Sequence, residues 1–309
     1  MTAAATASIP HGTRTRLTFP AGGEGVPAVW LRPEAPAPGQ PAALLLHGFS
    51  SRGDVMADTV GRALLRRGVA SLSPDLPLHG TRGNPLELQA LRNPLELARL
   101  WRLALQEAGA GVDFLRGEAG RVGVVGYSLG SFLSVVLASG RPEVAALVLA
   151  AGGDLPGGTP LTAVARTVAD PLRAARKLGP RPLLMLNGRH DPVIRPEQAE
   201  RLYAAAPGPK DLRWWDGGHA VPSGAVDEGA EWLAGQLGGK DPSLREALSP
   251  RERVLSVPLS QGRGALRSNR VRGLLRSCTC ITTGKRSQPR KSGSVYVTDS
   301  GGARPHSGR

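Results

Sequence analysis

The chain has 309 residues, of which 40% are hydrophobic, and a formal net charge of +14. Residues 1–239 carry 24 basic against 21 acidic side chains, a net +3, whereas residues 240–309 carry 15 against 4, a net +11. The sequence shows neither the basic start and apolar core of a secretory signal nor the ~18 apolar residues of a membrane span. These features favour a soluble, cytoplasmic protein that makes no use of a membrane, with one globular domain at 1–239.

The segment 240–309 differs from the rest of the chain in composition. It has no periodic apolar pattern, and Tyr296 is its only aromatic residue. Such a composition buries too little apolar surface to offset chain entropy, so it predicts a disordered tail. Dispersed charges without aromatic platforms argue against nucleic-acid binding. Cys278 and Cys280 supply at most two of the four ligands of a structural zinc, so neither a metal site nor a cofactor is predicted.

From about Arg14 to Leu237, short apolar runs alternate with longer amphipathic stretches. This pattern predicts an α/β fold with a doubly wound, mostly parallel sheet of eight strands. The predicted strands are Thr15–Phe19, Ala28–Leu31, Ala42–His47, Val69–Pro74, Val122–Tyr127, Ala145–Ala150, Pro182–Leu186 and Leu212–Trp215. The predicted helices are Val55–Arg67, Leu95–Arg116, Leu129–Ser139, Leu161–Leu178, Pro196–Ala205 and Ala225–Leu237. The first residues, His11 among them, are predicted to form a loose end.

One predicted helix carries a clear apolar stripe. Its members are Leu97, Leu100, Trp101, Ala104 and Leu105. Helical spacing of this kind predicts packing on the sheet and no role in ligand binding. The pentapeptide NPLEL occurs just before the helix, at Asn84–Leu88, and again at its start, at Asn93–Leu97. Each copy predicts a helix start with Pro at the first helical position.

The motif GYSLG at Gly126–Gly130 has the spacing of a nucleophile elbow, in which a serine occupies a sharp turn between a strand and a helix. The motif alone is weak, because a chain this rich in Gly and Ser produces such matches by chance. Its context supports it: an apolar strand leads into the motif and a helical stretch follows. Ser128 would then lie at a helix N-terminus, where negative charge is stabilised.

A serine nucleophile needs a base, and the base needs an acid that fixes its tautomer. His219 follows the last predicted strand in GGHAVP, where two glycines allow a loop to reach over the sheet edge; a plain loop histidine is the alternative. Asp191 follows the strand PLLML at the same edge, and Asp154 is the alternative acid. Asp75 precedes Ser128 and is interpreted as a structural residue of the loop DLPLHG.

Acyl transfer also requires hydrogen-bond donors for the oxyanion of the tetrahedral intermediate. The strand Ala42–Leu46 ends in His47 and Gly48, so the backbone N–H of Phe49 can point into the site. The N–H of Leu129, next to the nucleophile, is the second predicted donor. His47 is assigned a role in holding this loop rather than in proton transfer.

The segments HGFSS, DLPLHG, GYSLG, GRHDPVI and GGHAVP resemble, in order, the signature loops of the α/β-hydrolase superfamily. The resemblance covers about residues 25–238 and is greatest to esterases and dienelactone-hydrolase-like members. It implies the α/β-hydrolase fold, a triad of Ser128, Asp191 and His219, and an oxyanion hole at Phe49 and Leu129. It also implies a serine hydrolase that cleaves small-molecule esters through an acyl-enzyme intermediate.

Other activities use the same triad, so a peptidase, a thioesterase, an acyltransferase and a catalytically silent small-molecule-binding protein remain alternatives. The lid predicted at about 154–180 has room for one helix, which favours small or short-acyl substrates. Phe49, Leu78 and Leu129 are predicted to line the acyl side. The oligomeric state is not predicted.

Overall fold

The computed structural model describes residues 2–21, 23–87, 93–155 and 166–238. Within these ranges nine strands form one sheet, in the spatial order β1, β2, β3, β5, β4, β6, β7, β8, β9. The strands are β1 (Thr2–Ile9), β2 (Gly12–Ala21), β3 (Glu24–Pro33), β4 (Ala42–Leu46), β5 (Ala70–Pro74), β6 (Val122–Tyr127), β7 (Val144–Ala150), β8 (Leu183–Gly188) and β9 (Lys210–Trp215). The pairings from β1 to β3 and between β3 and β5 are antiparallel, and those from β5 to β9 are parallel.

The predicted α/β fold with a mostly parallel sheet is confirmed, but the count of eight strands is wrong. Thr2–Ile9 forms a ninth strand that pairs antiparallel with β2. His11 lies in the turn between them at a positive φ of 72° and is not in a loose end. The missed strand, TAAATASI, has no apolar alternation, and only its backbone pairing at the edge of the sheet defines it.

Helices cover both faces of the sheet. They are α1 (Gly53–Met56), a π-helical turn (Ala57–Gly61), α2 (Arg62–Leu65), a 3-10 turn (Gly80–Arg82), α3 (Pro94–Glu118), α4 (Leu129–Gly140), α5 (Pro171–Arg176), α6 (Pro196–Ala205) and α7 (Ser223–Leu237). α3 to α6 contribute to the larger apolar core on one face, and α1, α2 and α7 to the core on the other. The sheet is therefore doubly wound, as predicted.

The helix starts show the capping that the sequence indicates. Asn93 accepts a hydrogen bond from the N–H of Leu95 at 2.9 Å, with Pro94 at the first helical position of α3. In the first NPLEL copy, the Asn84 side chain accepts from the N–H of Leu86 at 3.0 Å. The N–H of Glu87 donates to the carbonyl of Asn84 at 3.0 Å, and only Leu88, the last residue of that copy, lies outside the described residues.

The lid differs from the prediction of one helix at Leu161–Leu178. Residues 156–165 lie outside the described residues; beyond them, helical geometry is interrupted at Ala169 and Asp170 before α5 begins. The Asp170 side chain accepts from the N–H groups of Leu172 and Arg173. Pro171 has no N–H and disfavours helical geometry in the residue before it, so a new helix starts here.

The predicted tail, 240–309, also lies outside the described residues. Its disorder and the domain boundary near 239 remain predictions. In the part of the chain that the structure describes, every helix is too short or too polar to cross a membrane.

Candidate active site

The backbone at Ser128 forms a sharp turn between β6 and α4. Ser128 has φ 50° and ψ −110°, a conformation that L-residues rarely adopt. Its N–H donates to the carbonyl of Ala150 at 3.0 Å, which ties the turn to the end of β7. The turn holds the Ser128 side chain at the first turn of α4, where exposed N–H groups favour negative charge.

Gly130 is required by how closely the chain passes itself at this turn. A Cβ atom at Gly130 would lie 1.9 Å from the carbonyl oxygen of Leu46 at the end of β4. This contact could not be relieved without moving the backbone, so only glycine fits. The last glycine of the motif therefore allows α4 to start directly against the loop that follows β4.

Ser128, His219 and Asp191 are brought together in one hydrogen-bonded line. Nε2 of His219 lies 2.9 Å from Oγ of Ser128, and Nδ1 lies 2.8 Å from Oδ2 of Asp191. In this arrangement Nδ1–H donates to the carboxylate, which leaves the Nε2 lone pair to accept the serine proton. The three residues come from the loops after β6, β8 and β9, at the carboxyl edge of the sheet.

The carboxylate of Asp191 is fixed by its own loop. Its side chain has no solvent exposure, and Oδ1 accepts from the N–H groups of Val193 at 2.8 Å and Ile194 at 2.9 Å. These bonds occupy one oxygen and direct the other, Oδ2, at His219. Asp191 can therefore hold the imidazole in one orientation and stabilise its protonated form.

Two aromatic side chains hold the His219 loop, and the sequence analysis assigned neither of them this role. The Tyr127 hydroxyl donates to the carbonyl of His219 at 3.2 Å, and the two rings lie 5.5 Å apart. The indole N–H of Trp215 donates to the carbonyl of Gly218 at 3.1 Å. Burial, and then the nearby charge of Asp191, raise the pKa of the Tyr127 phenol, which keeps it a donor. The second residue of GYSLG was the available signal for Tyr127.

The two predicted oxyanion donors come from different elements: Phe49 follows β4, and Leu129 is the first residue of α4. Within the described residues, the backbone N–H groups of Phe49 and Leu129 have no hydrogen-bond acceptor. Such unsatisfied donors are what an oxyanion requires.

His47 is buried beneath the loop that carries Phe49. Nε2 accepts from the N–H of Leu76 at 3.1 Å, so the proton is on Nδ1, which donates to the carbonyl of Gly48 at 2.8 Å. Burial lowers the pKa of His47 to about 4, and the Gly48 hydrogen bond opposes that shift. The carbonyl of Gly48 and the N–H of Phe49 belong to one trans peptide and point in opposite directions. Fixing the carbonyl therefore directs the N–H away from His47.

Asp75 has the structural role expected from its loop. Its side chain accepts from the N–H groups of Gly53 at 2.8 Å and Thr81 at 3.0 Å. A Cβ atom at Gly80, where φ is +57°, would lie 2.3 Å from this carboxylate. Asp75 thus connects the loop after β5 to the start of α1.

Asp154, the alternative acid, points elsewhere. Its carboxylate accepts from Arg166 and from Arg201, each at 3.0 Å, and its side chain is buried. These contacts join the loop after β7 to the lid and to α6. His219 donates its hydrogen bond to Asp191 instead.

A cavity of about 410 Å³ is lined by both Phe49 and Leu129, the two predicted oxyanion residues. Nearly all the other described residues in its wall are apolar, and His79 is the only titratable one. The apolar part of the wall includes Leu97, Leu100, Trp101, Phe132, Leu133 and Val136. The cavity therefore suits an uncharged group attached to the carbonyl that Ser128 would attack.

Two predictions about this region differ from the structure or are not reflected in it. Four members of the α3 stripe, Leu97, Leu100, Trp101 and Ala104, line the cavity, whereas Trp101, Ala104 and Leu105 also pack in the larger core, so the predicted packing is only part of the stripe's role. Leu78 is not part of the cavity wall; its neighbours Pro77 and His79 are, and Leu78 lies against Gly83 at a φ of 62°. An apolar helical stripe has the same spacing whether it faces a core or a cavity, so the sequence could not separate the two.

Comparison with known proteins extends these observations. Residues 43–275 match the model of the alpha/beta hydrolase family. A carboxymethylenebutenolidase from Rhodococcus opacus is 32% identical over 130 residues, 41% of this chain and 49% of the relative, so the match spans about half the length of that protein. A cold-adapted esterase from an Arctic intertidal metagenomic library has a TM-score of 0.62 at 20% identity and covers 76% of this chain and 99% of its own. Acetyl xylan esterase 1 from Thermoanaerobacterium has a TM-score of 0.61 at 20% identity and covers 75% and 84%.

Proposed function

Because this chain belongs to the alpha/beta hydrolase family, we propose that it is a serine hydrolase that cleaves carboxylic esters of small or short-acyl substrates. The observation that carries the proposal is the line of hydrogen bonds from Asp191 through His219 to Ser128. The similarity to esterases in fold and to a carboxymethylenebutenolidase in sequence supports it. A cytoplasmic location and a small-molecule ester as the partner are part of the same proposal.

The proposed reaction has two acyl-transfer steps. Oγ of Ser128 attacks the ester carbon while Nε2 of His219 takes the hydroxyl proton, and the oxyanion accepts from the N–H groups of Phe49 and Leu129. The intermediate collapses to an acyl-enzyme, and His219 returns the proton to the departing alcohol. Water then attacks the carbonyl carbon of the acyl-enzyme while His219 takes its proton. The second intermediate collapses, the acid leaves, and His219 returns the proton to Oγ of Ser128. Asp191 stabilises the imidazolium in both steps.

Labelling by a fluorophosphonate tests the assignment of Ser128. The wild-type protein should react at one site, and Ser128→Ala should lose the label and at least ~10³-fold in ester turnover because the triad acts as a unit. Ser139→Ala is the matched control, since Ser139 lies on the same helix and its hydroxyl donates to the carbonyl of Val136, one turn back on that helix. A wild-type protein that takes up no label would favour the silent binding protein instead. A folded Ser128→Ala variant with wild-type turnover would remove Ser128 from the reaction.

The size of the cavity leads to a second prediction, which concerns the length of the acyl chain. Along α4 its wall runs from Leu129 to Val136, seven residues or about 10 Å. For p-nitrophenyl esters from acetate to palmitate we expect kcat/KM to reach its maximum at or below about eight carbons, with a graded dependence because each methylene contributes only ~1–3 kcal/mol. A maximum at twelve carbons or longer would contradict this size limit.

The bond that is cleaved is tested with matched compounds that share one acyl group. We expect kcat/KM for the ester to exceed kcat/KM for the corresponding amide. A thioester and a butenolide lactone with the same acyl group test the remaining alternatives. The lactone is included because the Rhodococcus opacus relative is a carboxymethylenebutenolidase. Neutral substrates should have a higher kcat/KM than substrates with a carboxylate on the acyl group, because a charged group in the apolar cavity would lose its hydration.

A further inference from the structure

His79 lies in the loop after β5 and is buried against the loop after β4. Its side chain has no solvent exposure. Nε2 lies 2.8 Å from the carbonyl oxygen of Phe49, and Nδ1 lies 2.8 Å from the carbonyl oxygen of Pro77. The Phe49 ring meets the imidazole edge-on, with centroids 5.8 Å apart. His79 therefore contacts both the main chain and the side chain of Phe49.

Both atoms that His79 faces are carbonyl oxygens, which can only accept hydrogen bonds. A hydrogen bond to Phe49 thus requires a proton on Nε2 of His79. His47, which fixes the preceding carbonyl at Gly48, lies next to His79 with ring centroids 5.0 Å apart. The peptide groups before and after the Cα atom of Phe49 are consequently each held by a different buried histidine.

We propose that His79 is a positioning residue for hydrolysis, which fixes the main chain of Phe49 through Nε2–H so that the Phe49 N–H meets the oxyanion. This inference rests on the proposed function. His79 lies in the cavity wall but has no exposed surface, so its effect on the reaction passes through Phe49. Both ring nitrogens of His79 face main-chain carbonyls, of Pro77 and Phe49, and not Ser128 or His219.

Loss of the His79 hydrogen bond should slow the reaction because an oxyanion donor acts only at the right distance and angle. Removal of one such donor costs about 10²- to 10³-fold in kcat. Loss of the bond that holds Phe49 displaces the donor rather than deleting it, so we expect a smaller loss, about 10- to 100-fold. Because the oxyanion exists only in the transition state and intermediate, kcat should fall while KM changes little.

Three variants separate the parts that His79 plays. His79→Gln places an amide N–H near the position of Nε2 and can still donate to Phe49. His79→Asn places its amide near Nδ1 and can donate only towards Pro77. His79→Phe keeps an aromatic ring against Phe49 but has no donor. The proposal predicts that His79→Gln stays within about threefold of wild-type kcat, whereas His79→Asn and His79→Phe lose 10- to 100-fold with KM within about twofold.

Each kcat is measured on a short ester and divided by the number of sites that a fluorophosphonate titrates, so that only folded, reactive protein is counted. Equal losses in all three variants would overturn the proposal in favour of packing. Wild-type kcat in His79→Phe would also overturn it. A raised KM with unchanged kcat would show instead that His79 acts on substrate binding, and would likewise overturn it.

A measurement on the unmutated protein covers the case in which the variants do not fold. In ¹⁵N–¹H spectra of the histidine rings, the proposal requires Nε2 of His79 to be protonated; an unprotonated Nε2 overturns it. The two ideas fail separately. If the wild-type protein takes no fluorophosphonate and cleaves no ester, the proposed function is wrong; if it does both and His79→Phe matches it, only the role of His79 is wrong.

Discussion

At the scale of single residues, two buried carboxylates at the same sheet edge differ only in what surrounds them. Asp191 and Asp154 each have about 3% exposure, and each follows a parallel strand. Two backbone N–H groups and an imidazole surround Asp191, whereas two arginines surround Asp154. The neighbours of each carboxylate, and not its burial, assign its role.

Asp191→Asn should lower kcat by about 10³- to 10⁴-fold without unfolding the protein. The Asn Oδ1 would keep the bonds from Val193 and Ile194, so its amide N–H₂ would face Nδ1 of His219. The proton of His219 would then move to Nε2, which could no longer accept from Ser128. Steady-state ester hydrolysis measures the loss, and circular dichroism checks the fold.

Asp154→Asn is the matched control. It removes the charge that pairs with Arg166 and Arg201, so we expect a loss of about 1–3 kcal/mol in the free energy of unfolding. The kcat of this variant should stay within about threefold of wild type. If Asp154→Asn lost more activity than Asp191→Asn, the assignment of the acid would have to be exchanged.

The hydrogen-bonded line of Ser128, His219 and Asp191 could be predicted because its members follow strands in a fixed chain order, and strand ends of a parallel sheet meet at one edge. The residues that hold these three side chains in place could not be predicted from the sequence. Tyr127 contacts His219 across 92 positions of sequence, and His79 contacts Phe49 across 30. Their roles depend on which loops touch, and no periodicity in the sequence records that.

At the scale of elements, α3 is joined to the loop that carries His79 by a buried ion pair. Arg82, in the 3-10 turn, donates to both carboxylate oxygens of Glu107 on α3, one of them at 2.7 Å, and also to the carbonyl of Asp75. Glu107 has 4% exposure. The pair links the helix that lines the cavity to the turn that follows His79.

Glu107→Ala should lower the free energy of unfolding by about 3–5 kcal/mol, because it leaves Arg82 buried without its partner. Glu228→Ala breaks the pair with Arg213, in which both side chains are more than 40% exposed, and should cost at most about 1 kcal/mol. Urea unfolding at pH 7 measures both. Equal effects of the two substitutions would mean that the Arg82–Glu107 pair contributes no more than a surface pair.

Elements were predictable where a period or a cap marked them, as at α3, α4 and α6. β1 was missed because an edge strand of Ala and Thr needs only backbone partners. The break before α5 was missed although its signal was present, since Asp170 and Pro171 form a typical helix start.

At the scale of the whole molecule, Ser128, Asp191, His219 and all nine described strands precede residue 239. A chain that ends at Gly239 should therefore fold and keep kcat/KM within about twofold of the full chain. Size-exclusion chromatography and ester hydrolysis check this expectation. Unfolding or a large loss of activity on truncation would show that 240–309 belongs to the domain, and its net charge of +11 would then need a structural explanation.

The backbone conformation at Ser128 lowers the stability of the fold. A non-glycine residue at φ 50° and ψ −110° carries strain of roughly 1–3 kcal/mol, which glycine would relieve. Selection for heat tolerance alone would thus favour glycine at position 128, although glycine lacks the hydroxyl that we propose as the nucleophile. The serine persists against that pressure only as long as its reaction is useful, so in descendants that lose the reaction this position is where glycine should first become common.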